Sequence, residues 1–171
     1  MKARLLAALA LMAFVVFGMG NIAFGQDEVT EKWTGTGQST SKVIQLEEGK
    51  FYVSYESFGI GISDTGEGLF HKATARALGF MLIENGIIKE ERGYGVLNIV
   101  NGDKIFYTYE VSGDAKPGVE SIATVKSTYT GGTGKCAGIQ GGGTSTRYSL
   151  KPAMEGIGQS YSKGTAKYKL P

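Results

Sequence analysis

Three tyrosines and an asparagine close to an Asn-Gly pair are the side chains of this sequence best suited to hold a small molecule. Asn101-Gly102 predicts a two-residue hairpin turn. In the register set by that turn, one face carries the candidate ligand-binding residues Tyr94, Asn98, Tyr107 and Tyr109. Such tyrosines are either core or interface residues, or they line a pocket for an aromatic ligand, in which a hydroxyl orients the guest.

The remaining reactive residue types do not form a recognisable site. The only histidine, His71, and the only cysteine, Cys136, are in no metal-ligand spacing, so neither a metal nor another cofactor is predicted. Asp64 and Glu67 precede His71, but three loosely spaced ligands are more typical of a solvated loop than of a cation site. Cys136 cannot form an internal disulfide, and we interpret it as a small buried hydrophobe.

The N-terminal residues predict export. A positive start at Lys2 and Arg4, the apolar run Leu5–Phe17 and a small residue at Gly25 are typical of a cleaved secretory signal, residues 1–25. Cleavage leaves residues 26–171 as one domain, periplasmic or extracellular, with no later stretch apolar enough to span a membrane. The signal holds two of the 18 basic residues and none of the 16 acidic ones, so the mature net charge is 16 − 16 = 0. This balance predicts neither a nucleic acid nor a charged membrane surface as partner.

The pattern of short apolar runs predicts an all-β sandwich or barrel. Glycine accounts for 27 of the 171 residues and proline for three, and turn signals separate about eight candidate strands. The predicted elements are a strand Val29–Thr36, a hairpin of Val43–Leu46 with Lys50–Ser57, a glycine-rich loop Gly59–Gly68, and strands Leu69–Ile83, Val119–Thr130, Thr144–Leu150 and Thr165–Leu170. Asn85-Gly86 predicts a further hairpin turn. The hairpin around Asn101-Gly102 is apolar on both faces, so we expect one face to line the core and a neighbouring subunit or segment to cover the other.

A glycine-rich connection, Gly131–Thr144, contains seven glycines in fourteen residues. Glycine is favoured where φ is positive or backbones approach closely, so this segment predicts a tight connection where the sheet closes. Gly134 is expected to have a backbone conformation that a β-branched residue resists. A phosphate-binding loop is excluded, because Cys136 follows Lys135 where that loop needs serine or threonine.

Two segments resemble one known superfamily. Gly131–Gly141 is similar to the glycine turn of the dirigent and allene oxide cyclase families, and Gly93-Tyr94-Gly95 leading into Asn101–Phe106 is similar to their central hairpin. The resemblance covers roughly Leu69–Leu150. Cys136 departs from it, since dirigent proteins usually have an aromatic residue there.

The resemblance implies a single eight-stranded antiparallel β-barrel with a hydrophobic cavity, often assembled as a trimer. Two functions are compatible with it. The first is a non-catalytic barrel that binds a small apolar or aromatic ligand or a partner protein. The alternative is a dirigent- or cyclase-like protein that guides or catalyses reaction of a hydrophobic substrate in the cavity. An arginine or a carboxylate inside the cavity would favour the alternative, and an all-apolar cavity would favour the first.

Overall fold

Eight antiparallel strands form one closed barrel in the computed structural model, which describes residues 27–116 and 120–171. The strands are β1 (Val29–Glu47), β2 (Lys50–Ser63), β3 (Ala73–Glu84), β4 (Ile87–Asn98), β5 (Lys104–Asp114), β6 (Ser121–Gly132), β7 (Gln140–Leu150) and β8 (Ile157–Lys169). The all-β, eight-stranded barrel is therefore confirmed. The predicted signal, residues 1–25, lies outside the described residues. Within the described ranges, no helix is long and apolar enough to cross a membrane.

The strands follow one another around the barrel in chain order. Each pairs with the next, and β8 pairs with β1 to close the ring. Because successive side chains of a strand point to opposite faces, alternate residues face the lumen and the outside. Odd-numbered residues face inward on β1, such as Trp33, whereas even-numbered residues such as Ala166 face inward on β8.

The first two strands are longer than predicted. The predicted strand Val29–Thr36 and the predicted hairpin arm Val43–Leu46 are parts of one strand, β1. The predicted loop Gly59–Gly68 is wrong over its first five residues, which belong to β2. Glycine occurs in this part of β2 because the backbones of β1 and β2 approach closely. A Cβ at Gly59 would lie 2.7 Å from the carbonyl oxygen of Thr36.

The turn between β4 and β5 differs from the prediction by one residue. The Ile99 N–H donates to the Asp103 carbonyl at 2.8 Å, and the Gly102 N–H donates to the Ile99 carbonyl at 2.9 Å. The loop therefore has three residues and ends at Gly102, whose φ is +91°. The predicted two-residue turn and its register are wrong: Gly95, not Val96, pairs with Tyr107. A shift of one residue moves every side chain of β4 to the other face.

One end of the barrel is closed by a buried apolar plug. The loop after β2 returns to the barrel, and Phe70 packs there against Trp33, Tyr129 and Tyr168, with ring centroids 6.2–6.3 Å apart. The buried Glu31 carboxylate fixes this loop, because it accepts hydrogen bonds from the Phe70 N–H at 2.9 Å and the Leu69 N–H at 3.0 Å. The closed end therefore has a satisfied buried charge and a packed core.

The glycine-rich connection lies at the same end. It contains one turn of 3-10 helix, Gly134–Cys136. Gly134 has φ +53°, and a Cβ there would collide with the Asp103 carboxylate. The Lys135 N–H donates to that carboxylate at 3.0 Å. Cys136 is fully buried, as predicted, and burial raises the pKa of its thiol. The connection therefore fastens the β4–β5 turn to the plug.

Candidate functional site

A cavity of about 510 Å³ occupies the barrel above the plug. Its lining extends from Trp33 and Phe70 at the closed end to Lys116 and Pro152, which follow β5 and β7 at the other end. The barrel is therefore a cup with a closed base and an open mouth. The lining is largely apolar. The volume of the cavity lies within the usual range of small-molecule pockets, about 300–1,000 Å³.

Two of the four predicted site residues line this cavity. Tyr107 and Tyr109 point inward from β5, with ring centroids 6.1 Å apart. Their positions depend on glycines in the neighbouring strand: Gly95 pairs with Tyr107 and Gly93 with Tyr109. A Cβ at either glycine would overlap the tyrosine ring or hydroxyl. The two rings therefore lie across β4 and leave the centre of the lumen open.

The other two predicted site residues do not face the cavity. Tyr94 lies on the outer surface with 75% of its area exposed. Asn98 is four residues further along β4, so its side chain points to the same outer face. The prediction that they share a face with Tyr107 and Tyr109 is wrong, because the three-residue turn shifts the register by one.

A buried ion pair that the sequence did not suggest crosses the lumen. Arg147 on β7 donates two hydrogen bonds to the Glu91 carboxylate on β4, of 2.7 Å and 2.8 Å. These strands are three places apart around the barrel, so the pair spans its interior. The Glu91 side chain is fully buried, whereas 22% of the Arg147 side chain is exposed. The lumen is thus not all apolar.

A bulge in β4 turns Glu91 inward. The pairing of β4 with both neighbours shifts by one residue between Ile88 and Arg92. Ile88 and Glu91 consequently both face the interior although they are three residues apart. A bulge of this kind re-aims a side chain, and no local signal in the charged run at 89–92 marks it. Arg147 had a weak signal, since it alternates with the inward serines Ser145 and Ser149.

Two tyrosine hydroxyls extend the ion pair towards the cavity. Tyr55 on β2 donates to Glu91 Oε1 at 2.6 Å, and its hydroxyl lies 2.8 Å from that of Tyr109. A tyrosine hydroxyl has one proton. Because Tyr55 gives its proton to Glu91, Tyr109 must donate to Tyr55. The chain therefore runs in one direction, from Tyr109 through Tyr55 to Glu91, and leaves the Tyr109 oxygen as an acceptor.

The environment keeps these phenols protonated and the arginine charged. Burial raises the pKa of Tyr109 to about 12. Burial and the negative charge of Glu91 raise the pKa of Tyr55 further. Burial opposes the charge of Arg147, but the hydrogen bonds and charge of Glu91 raise its pKa above the usual value. Near neutral pH the two phenols are thus neutral and the guanidinium is charged.

Arg147 Nε is buried and has no hydrogen-bond partner among the described residues.

The acidic loop near His71 has a different character. Asp64 and Glu67 are exposed, and His71 is half-buried. Within residues 27–116 and 120–171, no three His, Cys, Asp or Glu side chains are arranged to hold a metal ion.

Comparisons with family models, curated proteins and solved structures found no match to this chain. The resemblance to the allene oxide cyclase and dirigent families is accordingly an expectation from two sequence segments.

Proposed function

We propose that this protein binds a small apolar or aromatic molecule in the barrel lumen and releases it unchanged. The observation that supports this most is the cup itself, a largely apolar cavity of about 510 Å³ that is closed at the plug and open at the mouth. Glycines at 79, 93 and 95 leave room for Tyr55, Tyr107 and Tyr109 to lie against the wall of the barrel. A core built only for stability is close-packed and has few voids larger than a water molecule.

The hydrogen-bond chain selects the polar group of the guest. Tyr109 donates its only proton to Tyr55, so a guest group beside Tyr109 gains a hydrogen bond only by donating one. A guest with a hydroxyl beside an aromatic body fits both the apolar lining and this acceptor. A hydrogen bond of this kind typically contributes about 0.5–1.5 kcal/mol.

A second candidate is a dirigent- or cyclase-like protein that guides or catalyses reaction of a hydrophobic substrate. The specific observation that favours it is the presence of both a carboxylate and an arginine in the lumen, Glu91 and Arg147. We rank it second because Glu91 is fully buried and accepts three hydrogen bonds. Glu91 and Arg147 both line the cavity, but the hydrogen bonds from Arg147 and Tyr55 already occupy the carboxylate.

Fluorescence titration with N-phenyl-1-naphthylamine tests the cup. Ser57 faces the lumen, and Ser57→Trp should place an indole ring in it and weaken binding of the probe. Ser54 points outward from the same strand, so Ser54→Trp is the matched control and should bind normally. Equal binding by both variants would contradict a lumenal site.

A pair of guests tests the polar group. The wild type should prefer 1-naphthol to 1-methoxynaphthalene, and Tyr109→Phe should remove that preference, while Tyr94→Phe on the outer surface should keep it. Recovery of the guest unchanged favours the binding function, and recovery of a new product favours the second candidate.

We also propose export and a homo-oligomer, as the sequence and the resemblance imply. Support for association comes from the outer faces of β3, β4 and β5, where Leu78, Tyr94 and Phe106 are 56%, 75% and 41% exposed. Native mass spectrometry would give the subunit count and any retained guest in one measurement.

A further inference from the structure

The outer wall formed by β6, β7, β8 and the part of β1 that pairs with β8 is basic. Its outward positions include five lysines and no aspartate or glutamate. We call this surface the basic wall, and its lysines are Lys32, Lys126, Lys163, Lys167 and Lys169. One cross-strand row runs Lys126, Thr144, Thr165, Lys32, and Lys163 and Lys167 lie two residues either side of Thr165 on β8.

Two lysines of the basic wall have acidic neighbours, since Glu110 of β5 lies opposite Lys126 and a surface pocket places Asp64 and Glu67 beside Lys32. No acidic residue faces Lys163 or Lys167 across the sheet. Among the described residues, no ion pair involves any of its five lysines. The opposite wall has paired charges, such as Arg76 with Glu56 and Lys89 with Glu84. The predicted net charge of zero therefore conceals an excess of positive charge on this wall. A surface with an excess of one sign attracts a partner of the opposite sign.

We propose that the basic wall binds an anionic polysaccharide. Charge complementarity requires an anionic partner, and the threonine hydroxyls between the lysines can both donate to and accept from sugar hydroxyls. Thr144, Thr165 and Thr34 all lie at outward positions beside the lysines. A flexible polymer can also follow a convex barrel wall.

Two other anionic partners fit less well. Single-stranded nucleic acid uses aromatic side chains as platforms for its bases, but Tyr148 and Tyr161 of this wall stack on each other at 4.6 Å and 7°. A bilayer surface binds basic segments that also insert apolar side chains. The exposed apolar residues of this wall, Ile122 and Leu150, lie towards the mouth of the barrel. Between Lys163 and Lys169 the outward positions of β8 hold only threonine and lysine.

Retention on immobilised heparin at increasing salt tests the proposal with the full chain. The variant Lys126→Gln, Lys163→Gln, Lys167→Gln should elute at lower salt and bind soluble heparin roughly tenfold or more weakly, with a shallower salt dependence. The matched control Lys50→Gln, Lys89→Gln, Lys104→Gln loses the same charge elsewhere and should keep most of the affinity. Circular dichroism verifies that both variants fold.

Three outcomes would overturn the proposal. The first is an equal loss of heparin affinity in the two triple variants, which would indicate attraction by total charge alone. The second is tighter binding of an oligothymidylate than of heparin at the same salt. The third is tighter binding to phosphatidylglycerol vesicles than to heparin. None of these measurements depends on a guest in the lumen, so the outcome is independent of the proposed function.

Discussion

Arg147→Met removes the cation that neutralises Glu91 and keeps a side chain of similar length. In the wild type, the carboxylate accepts two hydrogen bonds from Arg147 and one from Tyr55. The variant retains only the tyrosine bond. Because the Glu91 side chain is fully buried in the wild type, the variant leaves its carboxylate without a positively charged partner.

The expected loss is large relative to the stability of a domain. Removing one partner of a buried ion pair typically costs about 3–5 kcal/mol, and the whole domain is expected to be stable by about 5–15 kcal/mol. Arg76→Met is the matched control, since Arg76 pairs with Glu56 on the outside and 60% of its side chain is exposed. An exposed pair contributes at most about 1 kcal/mol.

Chemical denaturation followed by circular dichroism measures these differences in free energy of unfolding. A double variant, Glu91→Leu with Arg147→Met, separates the stranded charge from the loss of packing. It should recover most of the stability, because apolar replacement of a buried ion pair is often neutral or stabilising. If Arg147→Met costs no more than Arg76→Met, or the double variant is as unstable as Arg147→Met, the ion pair is not buried as described.

Three further predictions follow from the site, the connection and the N-terminus. Gly134→Val should lower the free energy of unfolding by about 1–3 kcal/mol and Lys135→Ala by less than about 0.5 kcal/mol, and equal thermal midpoints would show that the glycine backbone is unimportant. The difference in phenolate absorbance between the wild type and Tyr109→Phe should have its midpoint near pH 12, the raised pKa of Tyr109; a midpoint near the usual pKa would place this phenol in solvent. Since the folded-state pKa of Tyr109 is above that of the unfolded chain, the stability it contributes is complete below about pH 10 and declines as pH rises towards 12. N-terminal sequencing of exported protein should begin at Gln26, and intact Met1 would refute cleavage.

Two Asn-Gly pairs show how far local sequence predicts this fold. At Asn85-Gly86 both residues have positive φ, +52° and +77°, and the two-residue turn is the predicted one. At Asn101-Gly102 only the glycine has positive φ, and the loop has three residues. One contact at the second turn is distant in sequence: Asp103, whose N–H donates to the Asn101 side chain, also accepts from the Lys135 N–H of the glycine-rich connection.

The candidate site was predictable only in part, for related reasons. Tyr107 and Tyr109 were found because aromatic residues alternate along β5, and alternation survives a register error within one strand. Tyr94 was misplaced because its face depends on the turn. Glu91 was missed because the β4 bulge changes its parity, and Tyr55 and Glu91 are 36 residues apart in sequence. Bulges and turns that respond to distant contacts are invisible to a local pattern.

The register of β8 is protected by the energetic cost of burying its lysines. Its inward side chains include Ala166 and Tyr168, and its outward ones include Lys163, Lys167 and Lys169. A shift by one residue would exchange the faces and bury three ammonium groups without partners, each at a cost of several kcal/mol. The lysines of the basic wall therefore also specify how β8 closes against β1. For this reason the heparin test replaces Lys126, Lys163 and Lys167 by glutamine, which remains polar and retains the penalty for facing inward, and leaves Lys169 in place.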